Sequence, residues 1–335
     1  MAISTDVSWQ LDDITMEGTI TRPDGDGPFP GVVLVAGSGP TDRDWCSPLM
    51  PGTNGAGKQF AQALADAGIA TMRYDKRASG PNVMANLPKL IGHISMQSHL
   101  EELAAAVQAF VAQGFVDTSK IIGLGNSEGT LHVLHYAAST QATPFAGIVL
   151  AAPPGRPVRD LVLMQFGMQA AQIPDGAALM TKIREACARY DAGQPMDPDP
   201  SLPEAVQMTL LSFETPVNQP LARELWAESA CDTLPKITIP TLVLIGGKDV
   251  QVDRQADGDP LQQCAAGMAN VTFAFPPDAN HVFKHETRSI AEVLTGGSGY
   301  NDSDAPLDAE ALATIIDWID HLTSITFPHA AKAGE

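Results

Sequence analysis

Between Gly31 and Gly37 the chain reads GVVLVAG, too continuously apolar for a strand with one wet face, and it predicts a strand buried on both sides of a parallel sheet. The stretch before it behaves differently. VSWQLDDITMEGTITRP alternates weakly around Asp12-Asp13 and predicts an antiparallel pair at a sheet edge, followed by the turn DGDGPFP. Beyond Gly37, helix and strand patterns take turns. Phe60, Ala63, Leu64 and Ala67 make the apolar stripe of a helix in GKQFAQALADAG, IATMRYD (69–75) follows as a strand, and Leu100, Leu103, Val107 and Phe110 mark a helix in HLEELAAAVQAFVAQG. KIIGLG is then a strand, SEGTLHVLHYAAS a helix and AGIVLAA (146–152) a strand. This rhythm predicts an α/β fold with a doubly wound, mostly parallel sheet, because right-handed crossover helices must cover both faces.

After AAPPGRP the rhythm breaks. Residues 156–235 hold Met- and Leu-rich helical stretches, LVLMQFGMQAAQ and EAVQMTLLSF, around the proline-rich GQPMDPDPSLP, with no strand pattern. Strand patterns resume with PTLVLIGGKD (240–249) and VTFAFPPDANH (271–281). Residues 156–235 are therefore predicted to be a helical cap inserted into one core made of 1–155 and 236–335; a separate helical domain is the alternative. A flexible loop, TGGSGYNDSDAP, precedes the last helix, DAEALATIIDWIDHLTS, whose Leu312, Ile315, Ile316 and Ile319 would pack back on the sheet.

Composition narrows the function classes. A chain of 335 residues, 44% hydrophobic and 18% charged, can bury a sizeable core and reads as a globular enzyme. Its net charge of -19 would repel nucleic acid and anionic membranes, so neutral or cationic small molecules are the expected partners; the same charge also serves solubility. No apolar run is long enough to span a bilayer, and MAISTDVSWQLDD lacks the features of a secretory signal, which predicts a cytoplasmic protein unless a leader has been removed. Cys46, Cys187, Cys231 and Cys264 lie far apart without a C-x-x-C pair and read as free thiols, with neither a disulfide framework nor a metal site. A monomer or a homodimer is compatible with all of this.

Gly125-Asn126-Ser127-Glu128-Gly129 satisfies G-x-S-x-G between a strand and a helix, the context a nucleophile elbow requires. Gly125 and Gly129 keep side chains away from a serine at a strained backbone angle; Gly123 reads as a small residue within the strand. Asn126 and Glu128 are expected to matter for backbone position, Glu128 for its N–H. A serine hydroxyl needs a histidine to take its proton and a carboxylate to orient that histidine. Asp249 and His281 follow the strands TLVLIGG and VTFAFP, at the carboxyl edge of the sheet where Ser127 lies. Asp253 is the rival acid, and His285 is expected in a following helix, pointing elsewhere. His132 and His135 read as exposed or core-satisfied residues of the helix after the elbow. For the oxyanion the donors expected are the N–H of Glu128 and of Ser38 in AGSGPTDRDW, with Gly39 as the alternative. GTNGAGKQ fails as a P-loop because Gln59 replaces the Ser/Thr, and GLGNSE fails as a dinucleotide motif because Glu128 stands at the third glycine.

In order and over nearly the whole chain, GVVLVAGSGPTDRD, ATMRYDKRASG, IIGLGNSEGT, TLVLIGGKDVQV and DANHVF resemble the landmarks of the α/β-hydrolase superfamily. More narrowly, G-x-S-E-G with S-G-P-x-D-R-D and N-H-x-F is similar to bacterial esterases grouped with the serine aminopeptidase-like (S33-type) hydrolases. The resemblance implies the triad Ser127, Asp249, His281 and the oxyanion donors Ser38 and Glu128. Two positions depart from the pattern: Ala36-Gly37 stands where His-Gly is usual, and Thr130 where a second glycine follows the elbow. Asp42, Arg43 and Asp44 are expected to brace the oxyanion loop by an ion pair.

The expected activity is hydrolysis of carboxylic esters with small to medium hydrophobic acyl or aryl groups, through an acyl-enzyme and without cofactor. Leu163, Met164, Phe166, Met168 and Leu211 of the cap are candidate lining residues, each of which could instead be cap core. An aminopeptidase using Glu224 or Glu228 to hold the substrate ammonium, and a non-catalytic binding protein, are the alternatives.

Overall fold

The computed structural model describes residues 1–297 and 299–324. Strands β1 (Ile3–Leu11) and β2 (Ile14–Arg22) form the opening hairpin, with Leu11 opposite Ile14 and Asp12 at a left-handed φ of 53°. β1 is almost wholly exposed, as an edge strand is, whereas every second residue of β2 from Ile14 to Ile20 is buried. The chain continues as β3 (Phe29–Val35), α1 (Ala56–Asp66), β4 (Ala70–Tyr74), α2 (Val83–Leu90) and α3 (Met96–Val111). Then come β5 (Val116–Asn126), α4 (Glu128–Ala138) and β6 (Gly147–Ala151). Four helices follow without a strand: α5 (Val158–Ala170), α6 (Gly176–Asp191), α7 (Glu204–Ser212) and α8 (Leu221–Trp226). The chain returns through β7 (Thr241–Leu244), α9 (Gly258–Cys264), β8 (Val271–Ala274), α10 (Ile290–Gly296) and α11 (Ala309–Ser324).

All eight strands form one sheet in the order β1-β2-β4-β3-β5-β6-β7-β8. β2 meets β4 antiparallel, and every pairing from β4 through β8 is parallel. The winding moves outward from β3 to β4, then turns back past β3 to β5. The carboxyl ends of β3 and β5 therefore flank the point where strand order reverses, which is where open α/β sheets form their crevices. Burial explains the apolar runs: Val32 to Val35 and Ile121 to Leu124 are essentially inaccessible, and each buried Val, Leu or Ile contributes about 1.5–3 kcal/mol relative to exposure. Helix α11 lies against β6, where a Cβ on Gly147 would come within 2.6 Å of Leu322.

The helical insertion has a small core of its own, including Phe166, Met180, Ile183, Tyr190, Leu210 and Trp226, distinct from the core beneath the sheet. Arg156 ties its start to Asp257 through Nε and Nη2, at 3.0 and 2.7 Å. One expectation fails in this half of the chain. Cys231 and Cys264 are not free thiols: they form a disulfide, their Cα atoms 5.8 Å apart, because the end of the insertion folds onto the end of α9. Only Cys46 and Cys187 remain free among the described residues. The stretch 295–306 is mostly irregular and holds a 3-10 turn at Gly299–Asn301, while Ser298 lies outside the described residues.

Candidate active site

β5 ends at Asn126, and α4 starts at Glu128, leaving Ser127 alone at the corner with φ 55° and ψ -125°. A non-glycine residue held there costs about 1–3 kcal/mol, supplied by its surroundings. Ser127 N–H donates to the Ala151 carbonyl at 2.9 Å, and its own carbonyl accepts from Thr130 N–H and Oγ1 at 3.0 and 2.6 Å. A Cβ on Gly125 would collide with the Gly129 carbonyl, and one on Gly129 would stand 2.5 Å from the Val35 oxygen. Both glycines are therefore required by the tight crossing of α4 over β3 and β5. Gly123 is limited differently: a Cβ there would run into the Phe145 ring.

Asp249, in the loop after β7, is buried and uses Oδ1 to accept the N–H groups of Gln251 and Val252 at 2.8 and 3.0 Å. Its Oδ2 is thereby left for His281 Nδ1, 2.8 Å away. Nε2 of His281 is the ring nitrogen with no partner among the described residues. The rival acid is spent elsewhere: Asp253 Oδ1 caps the N–H groups of Gln255 and Ala256. His285 does point away, to Asp308 at 2.9 Å, but it belongs to an extended bridge with Ala279 and not to a helix. The Asn126 side chain, expected to be incidental, is buried and donates to the His281 carbonyl at 3.0 Å, joining the elbow to the histidine loop.

Ser127 and His281 line one cavity of about 280 Å³ together with Ser38, Asn126 and Gln251. Ser127 Oγ makes no hydrogen bond among the described residues, a common state for a serine–histidine pair without substrate. The N–H groups of Ser38 and Glu128 likewise donate to nothing among the described residues. The cavity's apolar wall is Trp45, Leu49 and Met50 from the long loop after β3, with Val282 and Tyr300 opposite, and His281 is its sole titratable side chain apart from Tyr300. None of the five residues expected from the insertion contributes. Phe166 is buried in the insertion's own core, Leu211 is exposed to solvent, and Leu163, Met164 and Met168 are partly buried away from the cavity. Their helices pack against one another, so the apolar positions serve that packing. The residues that replace them escaped notice because they sit in irregular loops without periodicity.

Behind the elbow lies a buried polar cluster that the motif alone does not reveal. The Glu128 side chain is not merely a backbone spacer: it faces Lys76 Nζ at 3.7 Å and His132 Nε2 at 3.2 Å. His132 stacks on His99, ring centroids 4.4 Å apart, and His99 Nδ1 bonds Glu102 at 3.0 Å, which also pairs with Arg77. Burial favours a neutral Glu128, but Lys76 and the His132 bond outweigh it and hold the carboxyl down at about 2. Burial, reinforced by His99, pushes His132 down to about 4. Ligand atoms of His99, Glu128 and His132 fall within 4.8 Å of one another. Glu128 and Glu102 already face Lys76 and Arg77, however, so the cluster balances its charge from within. The DRD triplet ties the loop after β3 to other segments by ion pairs: Arg43 Nε bonds Asp75 at 2.9 Å and its Nη2 bonds Glu17 at 3.0 Å, while Asp44 pairs with Arg73.

Similarity to known proteins agrees with this geometry. The chain is 28% identical over 280 residues to esterase EstD of Thermotoga maritima, covering 82% of this chain and 60% of that relative's length. In three dimensions it superposes on proline iminopeptidase of Mycobacterium smegmatis at a TM-score of 0.55 and 15% identity, over 95% of this chain and 98% of that one. The 2,6-dihydroxy-pseudo-oxynicotine hydrolase gives 0.56 and 16%, over 95% and 68%. Likeness at such identities establishes the fold, that of the α/β-hydrolases. The sequence profile of the serine aminopeptidase S33 family matches residues 52–288, a span that takes in Ser127, Asp249 and His281 and begins after Ser38, and the chain belongs to that family of α/β-hydrolases.

Proposed function

We propose that the protein is a carboxylesterase acting through Ser127, His281 and Asp249. The observation that carries this reading is the strained Ser127 in one cavity with a histidine whose Nδ1 is held by Asp249, leaving Nε2 to accept a proton. Ser127 Oγ attacks the ester carbonyl carbon as its proton passes to Nε2, and the carbonyl electron pair moves to oxygen, met by the N–H groups of Ser38 and Glu128. The oxyanion collapses, the carbon–oxygen bond to the alcohol breaks, and Nε2 returns the proton to the leaving oxygen. Water then repeats the cycle on the acyl-enzyme, releasing the acid and free Ser127.

The cavity wall favours an ester of a small to medium, neutral acyl or aryl group. No lining residue is a carboxylate, lysine or arginine. The carboxylates considered for an aminopeptidase are engaged elsewhere: Glu224 accepts the Met96 N–H at 2.6 Å, and Glu228 pairs with His135. Residues 156–235 are read as a cap packed on the core, with specificity coming from the loop after β3, because no residue of 156–235 lines the cavity. The esterase named among the relatives supports the ester preference. The test compares p-nitrophenyl acyl esters of increasing chain length with aminoacyl-p-nitroanilides. Hydrolysis of the short and medium esters is expected; turnover of the anilides alone would move the assignment to a peptidase, and turnover of neither series would end the catalytic reading. No helix among the described residues is long and apolar enough to cross a membrane.

A further inference from the structure

Lys76 follows β4 and is 3% exposed, yet it lies outside the lining of the catalytic cavity. A buried ammonium must be matched by partners, and the two it has are telling. Its Nζ donates to the Gly37 carbonyl and faces Glu128 Oε1 at 3.7 Å. The Gly37 carbonyl and the Ser38 N–H are opposite ends of a single peptide unit. Glu128 supplies the other proposed oxyanion N–H. One buried cation therefore grips both halves of the oxyanion hole from behind, on segments that follow β3 and β5. Gly37 lies close over the elbow, where a Cβ would be 3.3 Å from Ser127 Cβ, so a small tilt of this peptide redirects the Ser38 N–H.

We infer that Lys76 is a positioning residue for the oxyanion hole, orienting and polarising the Gly37–Ser38 peptide while anchoring Glu128 so that both N–H donors face the same point. The inference rests on the reading of Ser38 and Glu128 as the donors. Hydrogen bonding at a carbonyl oxygen draws electron density from the amide nitrogen and strengthens the N–H as a donor, by about 10–30% per bond in a chain of such bonds. Glu128 is the counter-charge that lets the ammonium stay buried, and it remains ionised because Lys76 and His132 outweigh the effect of burial. Lys76 touches no reacting atom; it acts through the two amides.

The test uses Lys76→Met with a p-nitrophenyl ester and the matching thionoester, whose developing charge falls on sulfur, a poor acceptor for N–H donors. Losing a whole oxyanion donor costs about 10²–10³-fold in kcat, so for the oxygen ester a loss of about 10–100-fold in kcat is expected, with KM changed less than about threefold. The thionoester is expected to lose less than about threefold, so the ratio of the two rates collapses. That ratio is internal to one protein sample, and partial unfolding cancels from it. Equal losses on both substrates, or no loss on either, would overturn the inference. Should Lys76→Met fail to fold, Glu128→Gln, which keeps the N–H and removes the counter-charge, must show the same collapse in smaller measure; an unchanged ratio there also overturns it. Ser127→Ala serves as the separate control: retention of ester hydrolysis by that variant sinks the nucleophile assignment itself, a failure distinct from an unchanged ratio in Lys76→Met.

Discussion

Ser127 stands between two histidine–carboxylate pairs that look alike on paper and differ in what surrounds them. On the cavity side, His281 gives Nδ1 to Asp249 and keeps Nε2 without a partner among the described residues, in the cavity that Ser127 also lines. On the buried side, His132 meets Glu128 through Nε2, its Nδ1 has no partner among the described residues, and Lys76, His99, Glu102 and Arg77 close the cluster. In the proposed mechanism the first pair exchanges a proton with the substrate; the second is enclosed, its charges balanced and its imidazole kept neutral. A carboxylate next to a histidine is thus a proton-transfer device only where a cavity gives the free nitrogen something to act on.

The sharpest way to break this contrast is on the cavity side. Ser127→Ala is expected to lower kcat by at least about 10⁴-fold with the protein still folded, by analogy with triad deletions in serine proteases. Next in size, Asp249→Asn should cost about 10³–10⁴-fold, because an amide cannot hold the same tautomer, whereas Asp253→Asn should stay within about threefold. Reversal of those two results would exchange the acids.

The buried side is expected to show itself in stability. His132 is held down at about 4 against 6.5 for a free imidazole, and Glu128 at about 2 against 4.5. In both cases the unfolded chain binds more protons than the folded one in that interval, so stability rises with pH across it. Urea midpoints should therefore fall from about pH 6.5 to 4 as His132 contributes, and further from about 4.5 toward 2 as Glu128 does. His132→Asn should flatten the upper interval and, by removing a bond that holds Glu128 down, also lessen the slope of the lower one; an unaltered upper slope in that variant would remove His132 from the account. The smallest effect concerns how the cavity is built. Leu49→Ala and Met50→Ala should each raise KM for longer acyl esters by about 3–10-fold, the scale of a few lost methylene contacts, while Leu211→Ser leaves it unchanged.

Periodicity revealed the sheet strands and the helices α1, α3, α4 and α11 because each shows a face to the core, and the elbow because its glycines and serine are adjacent in sequence. The short elements α2, α9 and α10, of seven or eight residues, left no such mark because two turns are too few for a period to stand out. The apolar positions of 156–235 were visible as helical, but periodicity cannot distinguish a face turned to a substrate from one turned to a neighbouring helix. Phe166 packs within the helical insertion, and the cavity's apolar wall includes Leu49 and Met50 of a loop.

The sequence by itself determined the order of strands and helices, the serine on its corner, and Asp249 and His281 at the same edge of the sheet, because local patterns and chain order suffice for these. Tertiary structure decided which acid meets the histidine, that Cys231 meets Cys264, and that Lys76 reaches both Gly37 and Glu128. Each of those depends on side chains brought together from distant segments, and nothing in linear spacing records the angle at which two loops converge.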